Sequence, residues 1–561
     1  MNINLFFFNF LFLLLIAIPA ESQIYHKNGM VVSEHHIASK VGAEILKEGG
    51  NAIDATIATA FALAVVFPQA GNIGGGGFLV YMASDGASTT IDFREKAPLA
   101  ATPTMYLDKD GNYIPMSNHN GLLSVGVPGT VAGLWMAHQK YGSLPWLDLV
   151  QPAIDLADQG VPLSFTLAQH AKRFETEAPN EFMKNFYTNG TGIPLTMNEI
   201  WKQPQLANTL SLIRDHGHDG FYSGEVAERL ATFMAEHGGI ITKEDLSKYE
   251  AVERPPVKGI YKEYEIISMG PPSSGGASII QMMNMMELVD WDTIEFNSTD
   301  YVHILAESMR RAYADRAEFL GDPDFNPDMP VAHLLSKEHA QNRFQHIDWE
   351  QASVSDSSLF GQLYDGKSTT HISVMDKKGN AVSMTYTLEW TYGSRMGSSN
   401  LGFILNNEMG DFNPQPRMTN ASGRIGTNPN LIAPEKRMLS SMSPTIVKKD
   451  GKPYLVIGTP GGRTIINTTF QTILNVLEFK MPIDNAIEAM KLHHQWLPDV
   501  IFYEPDKMSP DTRKALQKMG HSLSDRRTNL GRLMGIIYDP TLNVFIGAND
   551  SNSPDSAVDG Y

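Results

Sequence analysis

Not one cysteine occurs among the 561 residues, which excludes disulfides, thiolate metal sites, a cysteine nucleophile and lipid attachment through a lipobox cysteine. Basic residues are scarce: 44 Lys and Arg stand against 62 Asp and Glu, giving a net charge of −18 and a pI near 5.4. That balance is the wrong sign for neutralising phosphates, so nucleic acid is not an expected partner. The glycine run Gly71-Asn72-Ile73-Gly74-Gly75-Gly76-Gly77 lacks a closing Gly-Lys-Ser or Gly-Lys-Thr and leads into a strand instead of opening a helix. It is therefore neither a phosphate loop nor a dinucleotide fingerprint. No Gly-x-Ser-x-Gly elbow, internal repeat or low-complexity tract is present, and the histidines show no metal-ligand spacing.

What is there is a chain with 42% hydrophobic residues, enough to bury a sizeable core. Residues 1–22 carry an apolar run, 5–18, broken only by Asn9 and followed by Pro19, Ala20 and Ser22 in a small-x-small pattern. This reads as a signal peptide, since the run falls short of the roughly 20 residues of a spanning helix. No later stretch reaches spanning length free of charges, Gly and Pro, so export to a periplasmic or extracellular space is expected. Sequons fall at Asn189, Asn297, Asn420 and Asn467.

Helical spacing through Val41, Ile45, Ile53, Ile57 and Phe61, interrupted at Gly49-Gly50-Asn51, predicts two buried helices between residues 38 and 66. Strands are expected at 78–82 and 91–94, and a helix at 127–141 after a Pro-Gly turn. Residues 145–350 read as mostly helical, with 307–319 the clearest amphipathic stretch. After Gly366 the pattern turns to β alternation, with a helix near 482–492.

The informative segment is 368–389, where two period-2 stretches rich in β-branched residues flank Lys377-Lys378-Gly379, the pattern of a hairpin with a G1-type bulge. If Asp376 pairs with Asn380, Thr369 lies directly opposite Thr387, with Glu389 on the same face. His371, two residues from Thr369, does not define a triad. A threonine without a histidine can be activated by its own α-amino group, whose pKa of about 8 suits a general base. That requires cutting the Ser368–Thr369 bond.

A set of ordered motifs then carries a resemblance. Asn51-Ala52-Ile53-Asp54-Ala55, the glycines Gly74–Gly77, Asp92-Phe93-Arg94-Glu95, Val127-Pro128-Gly129 and Pro271-Pro272-Ser273-Ser274-Gly275-Gly276 precede Thr369-Thr370-His371. Leu405-Asn406-Asn407-Glu408-Met409, 439–445 and Thr459-Pro460-Gly461-Gly462 follow it. Together they resemble the γ-glutamyltranspeptidase family, also called glutathione hydrolases, of the N-terminal-nucleophile superfamily. The resemblance implies a four-layer αββα sandwich and a precursor that cleaves itself before Thr369. A large subunit, 23–368, and a small catalytic one, 369–561, would then remain together as a heterodimer.

Carried onto this chain, the resemblance makes Thr369 the nucleophile that forms a γ-glutamyl ester, held by Thr387. Gly461 and Gly462 would supply N–H groups to the tetrahedral oxyanion. Arg94, assisted by Ser440 and Ser441, would grip the donor α-carboxylate, and Glu408 and Asp411 the α-ammonium. Glu389, where many relatives have Asn and others Glu, would join them; crowding of these acids needs a bound cation or raised pKa values. Residues 413–436 match a loop that covers the pocket in bacterial relatives, with Ser422 where some carry a lid tyrosine, and the tail 550–555 departs from the usual Asp-Pro-Arg form. Glutathione and related γ-glutamyl compounds are the expected donors, with water, amino acids or peptides as acceptors and no metal or organic cofactor. The alternatives are a cephalosporin (glutaryl) acylase, which needs no ammonium site, and an unprocessed secreted homologue that only binds γ-glutamyl compounds.

Overall fold

Along the long strands, alternate residues enter different hydrophobic clusters, and that alternation builds the layers. Val31 packs with one cluster and its neighbours Met30 and Val32 with another; Leu79 and Tyr81 likewise oppose Phe78, Val80 and Met82. In the second sheet Ile266, Leu455, Ile457 and Ile537 face outward to a third cluster, while Ile267, Val456 and Ile536 face inward. Each sheet is therefore covered on both faces, as the expected αββα sandwich requires.

The computed structural model describes residues 23–355, 369–416, 427–524 and 530–561. The expected signal peptide, Ser368, Asn420 and Ser422 lie outside them. The first antiparallel sheet runs Ala557–Gly560, Gly29–Ser33, Thr369–Asp376, Ala381–Thr387, Gly76–Met82, Ser88–Phe93, Val252–Arg254. The second runs Ile24–His26, Val544–Asn549, Met534–Asp539, Lys452–Gly458, Thr445–Lys449, Tyr264–Ser268, Val257–Tyr261. Both sheets combine strands from before and after Thr369: in the second, a block of four later strands is flanked on both sides by earlier ones, so the two segments form one interleaved domain.

Helices His36–Lys47 and Ala52–Val66 cover the outer face of the first sheet, and the second of them is buried along its whole length. It starts at a capping box, in which Asn51 accepts the Asp54 N–H and Asp54 accepts the Asn51 N–H. Gly275–Met286, Thr299–Phe319 and Ile465–Leu477 cover the second sheet.

Three expectations need refinement. The stretch 145–350 is mostly helical as expected, but it also contributes strands Val252–Arg254, Val257–Tyr261 and Tyr264–Ser268 to the sheets; the edge strand Val257–Tyr261 is exposed at alternate positions and carries little apolar signal. Its amphipathic helix begins earlier than 307, at Thr299, where Ser298 caps it. Beyond Gly366, helices Ile465–Leu477 and Pro510–Lys518 interrupt the β pattern, and near 482–492 only Ile483–Glu488 is helical. Ile465–Leu477 is rich in β-branched residues whose local preference is for strands, and complete burial of one helix overrides it.

Candidate active site

The hairpin has the register expected from its turn. Asp376 N–H donates to the Asn380 carbonyl, Gly379 takes φ +88°, and Thr369 pairs with Thr387. The Asp376 carboxylate locks the turn by accepting the Lys378 and Asn380 N–H groups, and it also accepts the Ala52 N–H at the start of the buried helix. At the far end of the hairpin the Thr369 hydroxyl donates to the Thr387 hydroxyl at 3.4 Å, with both side chains almost fully buried. Thr387 in turn accepts the Glu389 N–H at 2.8 Å.

The glycine run proves to be a backbone-packing device. Gly76 pairs with Thr387, a Cβ on Gly75 would lie 2.0 Å from the Thr387 carbonyl, and one on Gly74 would lie 2.4 Å from the Ile404 carbonyl. Side chains there would push away the strand that holds the threonine pair. His371 lies on the Thr369 face of its strand, bonded to the hydroxyls of Thr385 at 2.8 Å and Ser373 at 3.1 Å. Burial pushes its pKa down to about 3, so it is a neutral ring spent on those hydroxyls.

Gly461 and Gly462 lie between strand Lys452–Gly458 and helix Ile465–Leu477, with φ of +141° and +58°. Among the described residues neither N–H donates to a protein acceptor. Two unengaged donors next to a helix N-terminus are suited to developing negative charge.

Arg94 follows strand Ser88–Phe93 and is fully buried. Its guanidinium meets Glu408 at 2.8 Å, Glu95 at 3.6 Å and also Asp411, while Nε donates to the Met438 carbonyl at 3.3 Å. Burial opposes its charge, but Glu408, Asp411 and Glu95 outweigh that and raise its pKa. Asn406 shapes the Glu408–Asp411 turn: its amide accepts the Gly126 and Glu408 N–H groups and donates to the Gly74 and Gly126 carbonyls. Glu389 has φ +75°, and its carboxylate lies 3.2 Å from His119 Nδ1, whose ring stacks on Trp390 at 4.7 Å.

Burial and then mutual repulsion hold Glu95 well above the usual carboxylate range; burial does the same for Glu408 against the pull of Arg94, and for Glu389 with help from Asp411. Raised pKa values thus ease the crowding at Glu389 and Glu408, and Glu95 is a further acid that no sequence pattern distinguished from its motif neighbours. Among the described residues neither Ser440 nor Ser441 bonds to Arg94 directly, whose Nε reaches the Met438 carbonyl two residues before Ser440. The Ser440 hydroxyl accepts the Met442 N–H at 3.1 Å, and the Ser441 hydroxyl accepts from Arg316 at 3.1 Å. His119, Arg316 and Arg463 carry no sequence signal of their own: His119 lies in an unpatterned loop, Arg316 is one of several charged residues on an amphipathic helix, and Arg463 falls just past the glycine motif.

One His/Glu group has metal-like spacing although no sequence pattern marks it: ligand atoms of His303, Glu307 and His521 lie within 4.8 Å of one another. Glu307, however, is engaged by Arg310 at 3.2 Å, Arg311 at 2.5 Å and the Ser353 N–H at 3.1 Å. Two guanidiniums on one carboxylate oppose a divalent cation, and the group instead anchors the chain ahead of the segment leading to Thr369.

The gamma-glutamyltranspeptidase family model matches residues 38–559. The glutathione hydrolase proenzyme of Pseudomonas sp. (strain A14) is 44% identical over 97% of this chain and 96% of its own length. Among solved structures, the cephalosporin acylase from Bacillus halodurans superposes with a TM-score of 0.83 at 27% identity, covering 96% of this chain and 97% of that one. The Helicobacter pylori gamma-glutamyltranspeptidase gives a TM-score of 0.57 at 44% identity, over 58% of this chain and 94% of that chain. With a match that runs almost end to end and encloses every residue gathered around Thr369, the chain belongs to the gamma-glutamyltranspeptidase family.

Proposed function

We propose that this chain is a self-processing γ-glutamyltransferase and glutathione hydrolase, exported by its N-terminal segment to a periplasmic or extracellular space. Cleavage of the Ser368–Thr369 bond frees the Thr369 amine. That amine takes the proton of the Thr369 hydroxyl as the oxygen attacks the γ-amide carbonyl of the donor. The tetrahedral oxygen receives hydrogen bonds from the Gly461 and Gly462 N–H groups, and the departing nitrogen takes the proton as the C–N bond breaks. Water, or the amine of an amino acid or peptide, then resolves the threonyl ester and regenerates the hydroxyl. Thr387 keeps the nucleophile in line. Arg94, Ser440 and Ser441 hold the α-carboxylate, and Glu389, Glu408 and Asp411 hold the α-ammonium.

The observation that carries this reading is the pairing of Thr369 with Thr387 beside a buried site holding both Arg94 and a cluster of acids. A glutaryl acylase, the reading favoured by likeness to the Bacillus halodurans enzyme, has no ammonium to bind and no use for three buried or half-buried carboxylates around one arginine. Interleaving of strands from 23–355 and 369–561 in both sheets supports a heterodimer that stays together after cleavage.

Denaturing mass analysis with N-terminal sequencing tests the first step. Two fragments are expected, the smaller beginning Thr369-Thr370-His371, and Thr369→Ala should remain one inert chain. A wild-type protein that stays intact on prolonged incubation would bring the binding-only reading forward. Turnover of a γ-glutamyl anilide should far exceed that of a glutaryl anilide; the reverse order would favour the acylase.

A further inference from the structure

The largely buried guanidiniums of Arg94, Arg254, Arg310, Arg311 and Arg437 all face carboxylates. Arg316, in the last turn of helix Thr299–Phe319, does not. Its Nε donates to the Ser274 hydroxyl at 2.8 Å and its Nη2 to the Ser441 hydroxyl at 3.1 Å, and it forms no salt bridge among the described residues. Burial first, and then the like charge of Arg463, push it down to about 10, the opposite direction from Arg94. A half-buried guanidinium whose hydrogen-bond partners are two neutral hydroxyls is suited to a planar anion that accepts two parallel hydrogen bonds.

Its position says which anion. Tyr313, three residues earlier on the same helix, lies beneath Arg316 with its ring centroid 5.9 Å from the guanidinium carbon, and its hydroxyl donates to the Arg463 carbonyl. Arg463 follows Gly462 directly, so Tyr313 joins Arg316 to the loop of unengaged N–H groups, while Ser441 joins it to the donor pocket. Asp411, the carboxylate whose charge reaches Arg316, is already paired with Arg94.

We propose that Arg316, with Arg463 beside it, forms a second anion subsite for the terminal carboxylate on the amine side of the scissile amide. Its ligands are the leaving cysteinylglycine and, in transfer, the carboxylate of an amino-acid or peptide acceptor. The inference rests on the γ-glutamyl reading above. A two-residue leaving group spans at most about 7 Å from the scissile nitrogen, so its carboxylate has to be met by groups bordering the oxyanion loop, as these are. The α-carboxylate of the glutamyl part is a separate ligand, left to Arg94, Ser440 and the O–H of Ser441, whose oxygen accepts from Arg316.

Steady-state kinetics with glutathione, its C-terminal glycinamide and a γ-glutamyl anilide test this. The wild-type KM for the acid should be lower than for the amide by about tenfold, the effect of one charged hydrogen bond. Arg316→Gln should erase the acid–amide difference and raise the KM for glutathione about tenfold more than that for the anilide. Arg316→Lys should keep part of the preference. The wild-type acid–amide comparison needs no variant and still decides the matter if Arg316→Gln fails to fold or process. Equal wild-type KM values for acid and amide would overturn the subsite. An equal rise for all three donors in Arg316→Gln would do so too, placing Arg316 behind the α-carboxylate through Ser441. Wild-type protein that processes but turns over none of the three would overturn the γ-glutamyl reading and the subsite with it.

Discussion

Thr369 and Thr387 face each other across adjacent strands with their hydroxyl oxygens 3.4 Å apart, and the same Thr387 oxygen accepts the Glu389 N–H at 2.8 Å. One hydroxyl thus positions the nucleophile and fixes the turn leading to the acidic cluster. Thr387→Ala removes both bonds and leaves a buried N–H unsatisfied, a loss of roughly 1–3 kcal/mol. Self-cleavage and kcat should both fall, and Thr387→Ser should restore most of each. Precursor conversion followed on denaturing gels measures the first effect; wild-type conversion in Thr387→Ala would remove Thr387 from the positioning role.

Gly462→Ala places a side chain at φ +58°, a left-handed conformation that costs an L-residue roughly 1–2 kcal/mol. The strain shifts the N–H groups that meet the tetrahedral oxygen more than it disturbs the charged pocket. The expected result is a kcat lowered by a larger factor than KM is raised. Gly461→Ala should be the harsher change, because at φ +141° its Cβ would also lie 2.7 Å from the Thr464 hydroxyl. A raised KM with unchanged kcat in Gly462→Ala would argue against an oxyanion role.

The threonine pair was legible because its determinants are local. Asp376, Gly379 and Asn380 set the turn, and a turn of fixed register carries Thr369 to Thr387 several residues away. The charged pocket was reachable only through the family resemblance, since Arg94 and Asp411 are 317 residues apart in the chain and no spacing announces their contact. Residues outside the motifs stayed hidden for the same reason. His119 lies in an unpatterned loop, and Arg316 is one polar residue among many on a long helix, so only the fold reveals what each one touches.

The buried acids predict an unusual pH dependence. Glu95, Glu389 and Glu408 are all raised in the folded chain, chiefly by burial. Between the ordinary glutamate value of 4.5 and those raised values the folded protein therefore binds more protons than the unfolded chain. Stability from these groups is fully present below that window and is lost as pH rises through it. Melting temperatures of the unliganded wild type should fall across the window more steeply than those of Glu408→Gln, which cannot titrate there. Glutamate, which carries the α-ammonium, should flatten the wild-type curve by favouring the ionised acids. Parallel curves for the two proteins would show that Glu408 is already ionised in the empty site.

Glu389 combines a buried carboxylate with a left-handed backbone at φ +75°, a conformation Asn tolerates better than Glu. Glu389→Asn relieves that strain and removes a desolvated acid from a crowded site. What it loses is the His119 contact at 3.2 Å, and burial pushes the His119 ring down to about 4, so this is a shared-proton hydrogen bond and not a full ion pair. Strain relief therefore outweighs the lost contact, and a gain of about 1 kcal/mol is expected, seen as a higher melting temperature. Function should move the other way. One acid fewer near the α-ammonium raises the KM for a γ-glutamyl anilide while leaving that for a glutaryl anilide, which has no ammonium, little changed. A lower melting temperature would mean that the His119 contact is a genuine ion pair, and an unchanged γ-glutamyl KM would take Glu389 out of the ammonium site.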